Sequence, residues 1–107
     1  MIYLASPYTS EDNDLMERRY RLVLKFLAKC AEEHLVIYSP IAHWHPIAKL
    51  YDLPRGEKYW RFNNREMIYL CTQLLVLNLP GWRDSVGVAK DIKIAQTYHK
   101  RIDHVKP

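Results

Sequence analysis

Cysteine, glycine and an excess of either charge are what this chain has least of, and each shortage removes a class of protein. Its two cysteines, Cys30 and Cys71, are too few for a disulfide framework. Both fall in helical patterns beside apolar residues and read as reduced core thiols of a cytoplasmic protein. No apolar run approaches the roughly 18 residues of a membrane span, and no signal peptide precedes the first strand. The charge balance, 16 Lys and Arg against 12 Asp and Glu, is compatible with a phosphorylated ligand but too scattered to name nucleic acid as partner. A nucleic-acid surface would interleave its basic patch with aromatic rings, and the eight tyrosines and three tryptophans are spread evenly. His43 and His45 lack companion ligands at zinc spacing, so no metal is expected. Repeats and low-complexity segments are absent too. What remains is an ordinary globular composition in 107 residues, enough for one domain, 1–107, with a single core.

The stretch that organises the chain runs from Leu74 to Asp91. Leu74-Leu75-Val76-Leu77 is a continuous apolar run bounded by turn residues, which reads as a strand buried on both faces of a parallel sheet. Pro80-Gly81-Trp82 breaks it, and Ser85-Val86-Gly87-Val88 opens a helix. That helix start lies at a strand's carboxyl end, where open α/β sheets bind ligands and where free backbone N–H groups favour anions. Asp91 sits one turn inside, on the flank of the face made by Val88, Ile92 and Ala95. It reads either as an acid favoured by the macrodipole or as a carboxylate kept for chemistry.

The other elements follow in order. Ile2-Tyr3-Leu4-Ala5 is a first strand, ended by Ser6-Pro7. The hydroxyls and ring of Tyr8-Thr9-Ser10 make either a ligand loop or a plain connection with Ser10 as N-cap. A first helix from about Glu11 to Glu33 carries Met16, Tyr20, Val23, Leu27 and Ala31 as its stripe, widened by Leu24 and Cys30. Its arginines read as a solvated face, with a phosphate role open to one of the early ones. Leu35–Tyr38 is a second strand. In the segment Ile41–Ile47, His43 and His45 share a face if the chain is extended and diverge if it is helical. One of them packs locally and the other lines the mouth of a site. Lys49–Glu57 reads as a surface loop or lid with a tight turn at Gly56. A further helix spans about Glu57 to Thr72, with Asn63 and Asn64 on its inward face, and Arg101–Val105 is an edge strand. Four strands with crossovers predict a small parallel sheet with helices on both faces.

These residues resemble the nucleoside 2-deoxyribosyltransferase-like superfamily, and in particular a small, functionally unassigned branch of it. The resemblance rests on Ile2–Tyr8, on Ser39–Ile47 and on Gly81–Val88 running to Asp91. It implies a Rossmann-like, flavodoxin-like sheet of order 2-1-3-4, a site between the first and third strands, and a homo-oligomer. It also implies cleavage or transfer at the N-glycosidic bond of a 2-deoxynucleoside or its 5′-monophosphate, with no metal or organic cofactor. Asp91 stands where superfamily enzymes carry a glutamate nucleophile. Two other acidic positions align with Asn64 and Thr72, and an amide can orient a base or sugar but cannot trade protons with it. Under this resemblance Ser6 and Tyr8 contact the nucleoside. Ser85 and the N–H groups of Val86 and Gly87 hold a 5′-hydroxyl or phosphate, Gly87 allows close backbone approach, and Trp82 and His43 form the pocket wall. The alternative is a pocket that binds a nucleotide without cleaving it.

Overall fold

Successive side chains of a strand point to opposite sides, and the two central strands of this protein are apolar on both. A computed structural model describes residues 1–107. In chain order its elements are β1 (Ile2–Ala5), α1 (Asn13–Glu32), β2 (Ile37–Tyr38), α2 (Pro40–Tyr51), α3 (Glu57–Leu70), β3 (Gln73–Leu77), a 3-10 turn (Trp82–Asp84), α4 (Val86–Thr97) and β4 (Arg101–Val105). All strand pairs are parallel and the order is β2-β1-β3-β4, as expected. Tyr3 and Leu74 lie opposite each other, as do Leu4 and Leu75. Tyr3, Ala5, Leu74 and Val76 pack on one side against Ile68 of α3 and Val88 and Ala95 of α4. Leu4, Leu75 and Leu77 pack on the other with Val23, Phe26 and Leu27 of α1. The single core expected from the length is thus divided by the sheet into two clusters, one per face, because helices cover both sides of a doubly wound sheet.

Several boundaries differ from the sequence expectation, each for a local reason. Helix α1 starts behind Asp12, whose carboxylate accepts from the amides of Asp14 at 2.9 Å and Leu15 at 3.4 Å. Ser10 serves Asp12 itself, its hydroxyl accepting from the Asp12 amide at 3.0 Å. A charged acceptor at a helix start outcompetes a neutral hydroxyl. The buried stripe of α1 is narrower than expected, Met16, Val23 and Cys30, with Leu24 exposed. Strand β2 keeps only two residues, because Leu35 and Val36 are exposed at the sheet's end.

The ambiguous middle segment is helical. Pro40 occupies the first turn of α2, and the Ser39 hydroxyl caps it by accepting from the Ala42 amide at 3.1 Å. The helix then runs on to Tyr51, through residues expected to form a loop. Gly56 is no tight turn: it is the extended N-cap of α3, and a Cβ there would meet nothing within 4 Å. Scarcity of glycine shows instead at the helix ends. His34, Asp52 and His99 adopt the left-handed region that usually falls to glycine, with φ of 59°, 52° and 55°. Each reversal is held by a backbone bond to the last helical turn, such as Lys100 N–H to the Ala95 carbonyl at 2.9 Å. Helix α3 stops at Leu70, and Thr72 binds the Met1 carbonyl through its amide at 2.9 Å. Thr72 therefore lies at the amino edge of β1, the far end of the sheet from Ser6. Neither cysteine is paired, and no helix is long and apolar enough to cross a membrane.

Candidate functional site

At the carboxyl edge of the sheet the chain leaves β1 toward α1 on one face and β3 toward α4 on the other. Such a switch point opens a crevice. Here it is a cavity of about 410 Å³. Ser6, Tyr8, Asn64, Ser85, Val86, Gly87 and Asp91 all line it, so seven of the nine residues named from the sequence meet in one place.

Asp91 is the chemically unusual one. It is 8% exposed, on α4, and its carboxylate accepts the Tyr3 hydroxyl at 3.2 Å. Burial, partly offset by that hydrogen bond and reinforced by the charge of Glu57, pushes its pKa up to about 7. Both protonation states are therefore present at neutral pH. Burial and then the neighbouring Asp91 push the Tyr3 phenol well above its ordinary value, so Tyr3 stays a hydrogen-bond donor. Tyr3 is placed there by strand alternation, since it points to the same face as α4.

Four polar atoms of lining residues are buried without a protein partner, Ser6 Oγ, Arg19 Nε, Trp44 Nε1 and Asn64 Oδ1. A buried polar atom left unpaired costs about 1–3 kcal/mol, which a ligand hydrogen bond can offset. Asn63, its neighbour, is exposed on the outside of α3. The hydroxyl of Ser85 is engaged, capping α4 by accepting from the Val88 amide at 3.2 Å. Gly87 meets no crowding from the protein: a Cβ would find only Ser85 Oγ, at 3.8 Å. Any need for glycine there comes from a ligand.

The two histidines divide as expected but with their roles exchanged. His45, not His43, lines the cavity; it is 3% exposed. His43 is exposed and packs against Tyr38 and Trp44, because a helix sends residues two apart to different faces. Trp82 also lies outside the lining. It packs against the core beneath α4, with its ring 5.0 Å from that of His104. The aromatic wall is Trp44 and Trp60, whose rings are 4.7 Å apart.

Two cations complete the site, Arg19 from α1 and Arg55 from the loop before α3. Arg19 Nη1 donates to the carbonyls of Tyr8 at 3.2 Å and Thr9 at 3.4 Å. The early-arginine signal was present in the sequence, but helical spacing alone does not say which arginine turns inward. Arg55 carries no periodic signal at all. The acids facing these cations are Glu57, Asp84 and Asp91, and Glu57 is occupied by Arg61 through contacts of 2.9 and 3.0 Å. Nowhere do three or more His, Cys, Asp or Glu side chains gather as a metal site would require.

The cavity thus joins a buried carboxylate, an aromatic wall, the N-terminus of α4 and two arginines. No curated protein matches the chain. Residues 1–106 match the family described as a domain of unknown function, DUF1937, and the chain belongs to that family.

Proposed function

We propose that this protein cleaves or transfers at the N-glycosidic bond of a 2-deoxynucleoside 5′-monophosphate, as a branch of the nucleoside 2-deoxyribosyltransferase-like superfamily. The observation that carries the reading is Asp91, a carboxylate buried beside a hydroxyl donor on the wall of a nucleoside-sized cavity. Its ionised form attacks C1′, the C1′–N bond breaks toward the base, and water or a second base then releases the sugar from Asp91. Asn64 and Ser6 supply hydrogen bonds to sugar or base, and Trp44 and Trp60 flank the base. The first-turn amides of α4, with Arg19 and Arg55, favour a phosphate over a bare 5′-hydroxyl. No metal or organic cofactor takes part in this scheme.

The test is chromatographic detection of free base from 2-deoxynucleosides and their 5′-monophosphates, with and without an acceptor base. Release from monophosphates at least about tenfold faster than from nucleosides, lost in Asp91→Ala, is the expected result. Silence from every substrate with folded protein would refute it. That outcome would favour the second reading, a nucleotide-binding protein that does no chemistry, which the amide at Asn64 supports.

We also propose a cytoplasmic homo-oligomer. The unpaired cysteines fit a reducing compartment. Tyr59, Phe62 and Tyr69 repeat along one side of α3 and are 52%, 68% and 56% exposed, a stripe a second copy would cover. Light scattering should give a mass above the 12.8 kDa chain, returning to it in Phe62→Glu. A wild-type monomer would rule this out.

A further inference from the structure

The scheme above leaves one proton without a carrier. When the C1′–N bond breaks, the base takes the electron pair and needs a proton, and Asn64 has none to give. Three side chains from three elements supply a route. The Tyr8 hydroxyl, in the loop after β1, lies 2.5 Å from His45 Nδ1 on α2. His45 Nε2 lies 2.7 Å from the Glu17 carboxylate on α1. Tyr20 stacks on the imidazole with ring centres 4.2 Å apart, fixing its plane. Lys49 and Arg21 each approach Glu17 at 3.7 Å. Tyr8 and His45 both line the cavity that holds Asp91, whereas Glu17 stands behind them.

Resting on the glycosyl reading, we propose that Tyr8 is the general acid and base of the reaction, supplied with its proton through His45 and Glu17. With His45 doubly protonated, Nε2–H donates to Glu17 and Nδ1–H donates to the Tyr8 oxygen. The phenol's own proton is then free to point into the cavity. As the base departs, Tyr8 gives it that proton and takes the Nδ1 proton in its place. His45 is left neutral and Tyr8 is again a phenol. In the second half, water attacks C1′ of the Asp91 ester, its proton passes to Tyr8, and the Tyr8 proton returns to Nδ1. One proton leaves with the base and one arrives with the water, so the relay ends as it began.

The hydrogen bond from His45 holds the Glu17 carboxyl below its usual range, so Glu17 remains an anion facing the ring. Burial pushes Tyr8 up against the opposing pull of Arg55, so it remains a phenol, a proton donor rather than a phenolate. Neither side chain has any part in the sheet or the two cores. The arrangement puts a Tyr where hydrolases put the nucleophile of a His-carboxylate triad, but here it moves a proton and Asp91 makes the bond.

The experiment compares a purine 2-deoxynucleoside 5′-monophosphate with its N7-methylated counterpart, whose cationic base leaves as a neutral molecule and needs no proton. Tyr8→Phe, which keeps the ring, should lower kcat for the ordinary substrate by about 10²–10³-fold and leave KM within a few-fold. For the methylated substrate the loss should be below about tenfold. Glu17→Gln should show the same contrast at smaller size. Equal losses on both substrates would overturn the relay and leave the glycosyl reading standing. Absence of release from either substrate by the folded wild-type protein would overturn both together.

Discussion

Asp91→Asn is expected to produce a more stable and inactive protein, with a stability gain that depends on pH. The carboxyl titrates near its ordinary value of 3.8 when the chain is unfolded and at about 7 when folded. Between those values the folded state holds a proton that the unfolded state has released, so stability falls as pH rises through the window. Below about pH 4 both states are protonated and the penalty vanishes; above about 7 it is complete. A displacement of roughly three pKa units corresponds to ~4 kcal/mol at most. Asparagine keeps an acceptor for the Tyr3 hydroxyl and carries no charge to bury. Urea unfolding at pH 4 and pH 8 should give nearly equal stabilities for the two proteins at the lower pH and a gap of about 2–4 kcal/mol at the higher. A gap independent of pH would show that Asp91 is not a buried ionisable group. Base release should fall by on the order of 10⁴-fold or more, as when other enzymes lose a nucleophile. In the wild type, kcat/KM should rise between pH 6 and pH 8 as the carboxylate forms, above a window from about pH 4 to about 7 across which its burial weakens the fold. Stability and reactivity thus pull on one side chain in opposite directions.

The second large effect is expected at Gly81, in the turn between β3 and α4. Its φ of 93° lies in the left-handed region, where a side chain costs roughly 1–2 kcal/mol. A Cβ there would also sit 2.7 Å from Arg19 Nη2, so the guanidinium would have to shift. Arg19 is the side chain that reaches from α1 to the Tyr8 and Thr9 carbonyls, so moving it disturbs both loops of the cavity. Gly81→Ala should therefore lower thermal stability by several degrees and weaken binding of a 5′-monophosphate by at least about tenfold. Arg19→Ala in the Gly81→Ala background should add little further loss of affinity, since the two changes remove the same contact. Fully additive losses would mean that Gly81 and Arg19 act independently. Gly87→Ala makes a useful contrast, because the fold itself has room for that methyl.

Strand alternation and helical periodicity are properties of the chain, and what they control was legible without coordinates. The apolar run of Leu74–Leu77 required a strand covered on both faces, and the structure covers it with a core on each side. Parallel order followed, because strands separated by helices can return only by crossovers. Ser85 announced the start of α4, and spacing put Asp91 on the flank of its apolar face, where the structure buries it. Local chemistry was less decisive where two caps competed, as Asp12 and Ser10 did, or where an extended segment and a helix were both open, as at Ile41–Ile47.

Three features required tertiary structure. His45 and not His43 enters the cavity because α2 is a helix packed on α1, and the face it turns inward depends on where α1 lies. Arg19 separates from its neighbours on α1 because the turn at Gly81, more than sixty residues later, leaves space for its guanidinium. Tyr8, Glu17 and His45 have no spacing in common, and only the fold of three elements around one switch point brings their side chains into a line. Periodicity says which face of an element is apolar. It does not say which polar side chains from different elements will meet, since that depends on the angles and depths at which the elements pack.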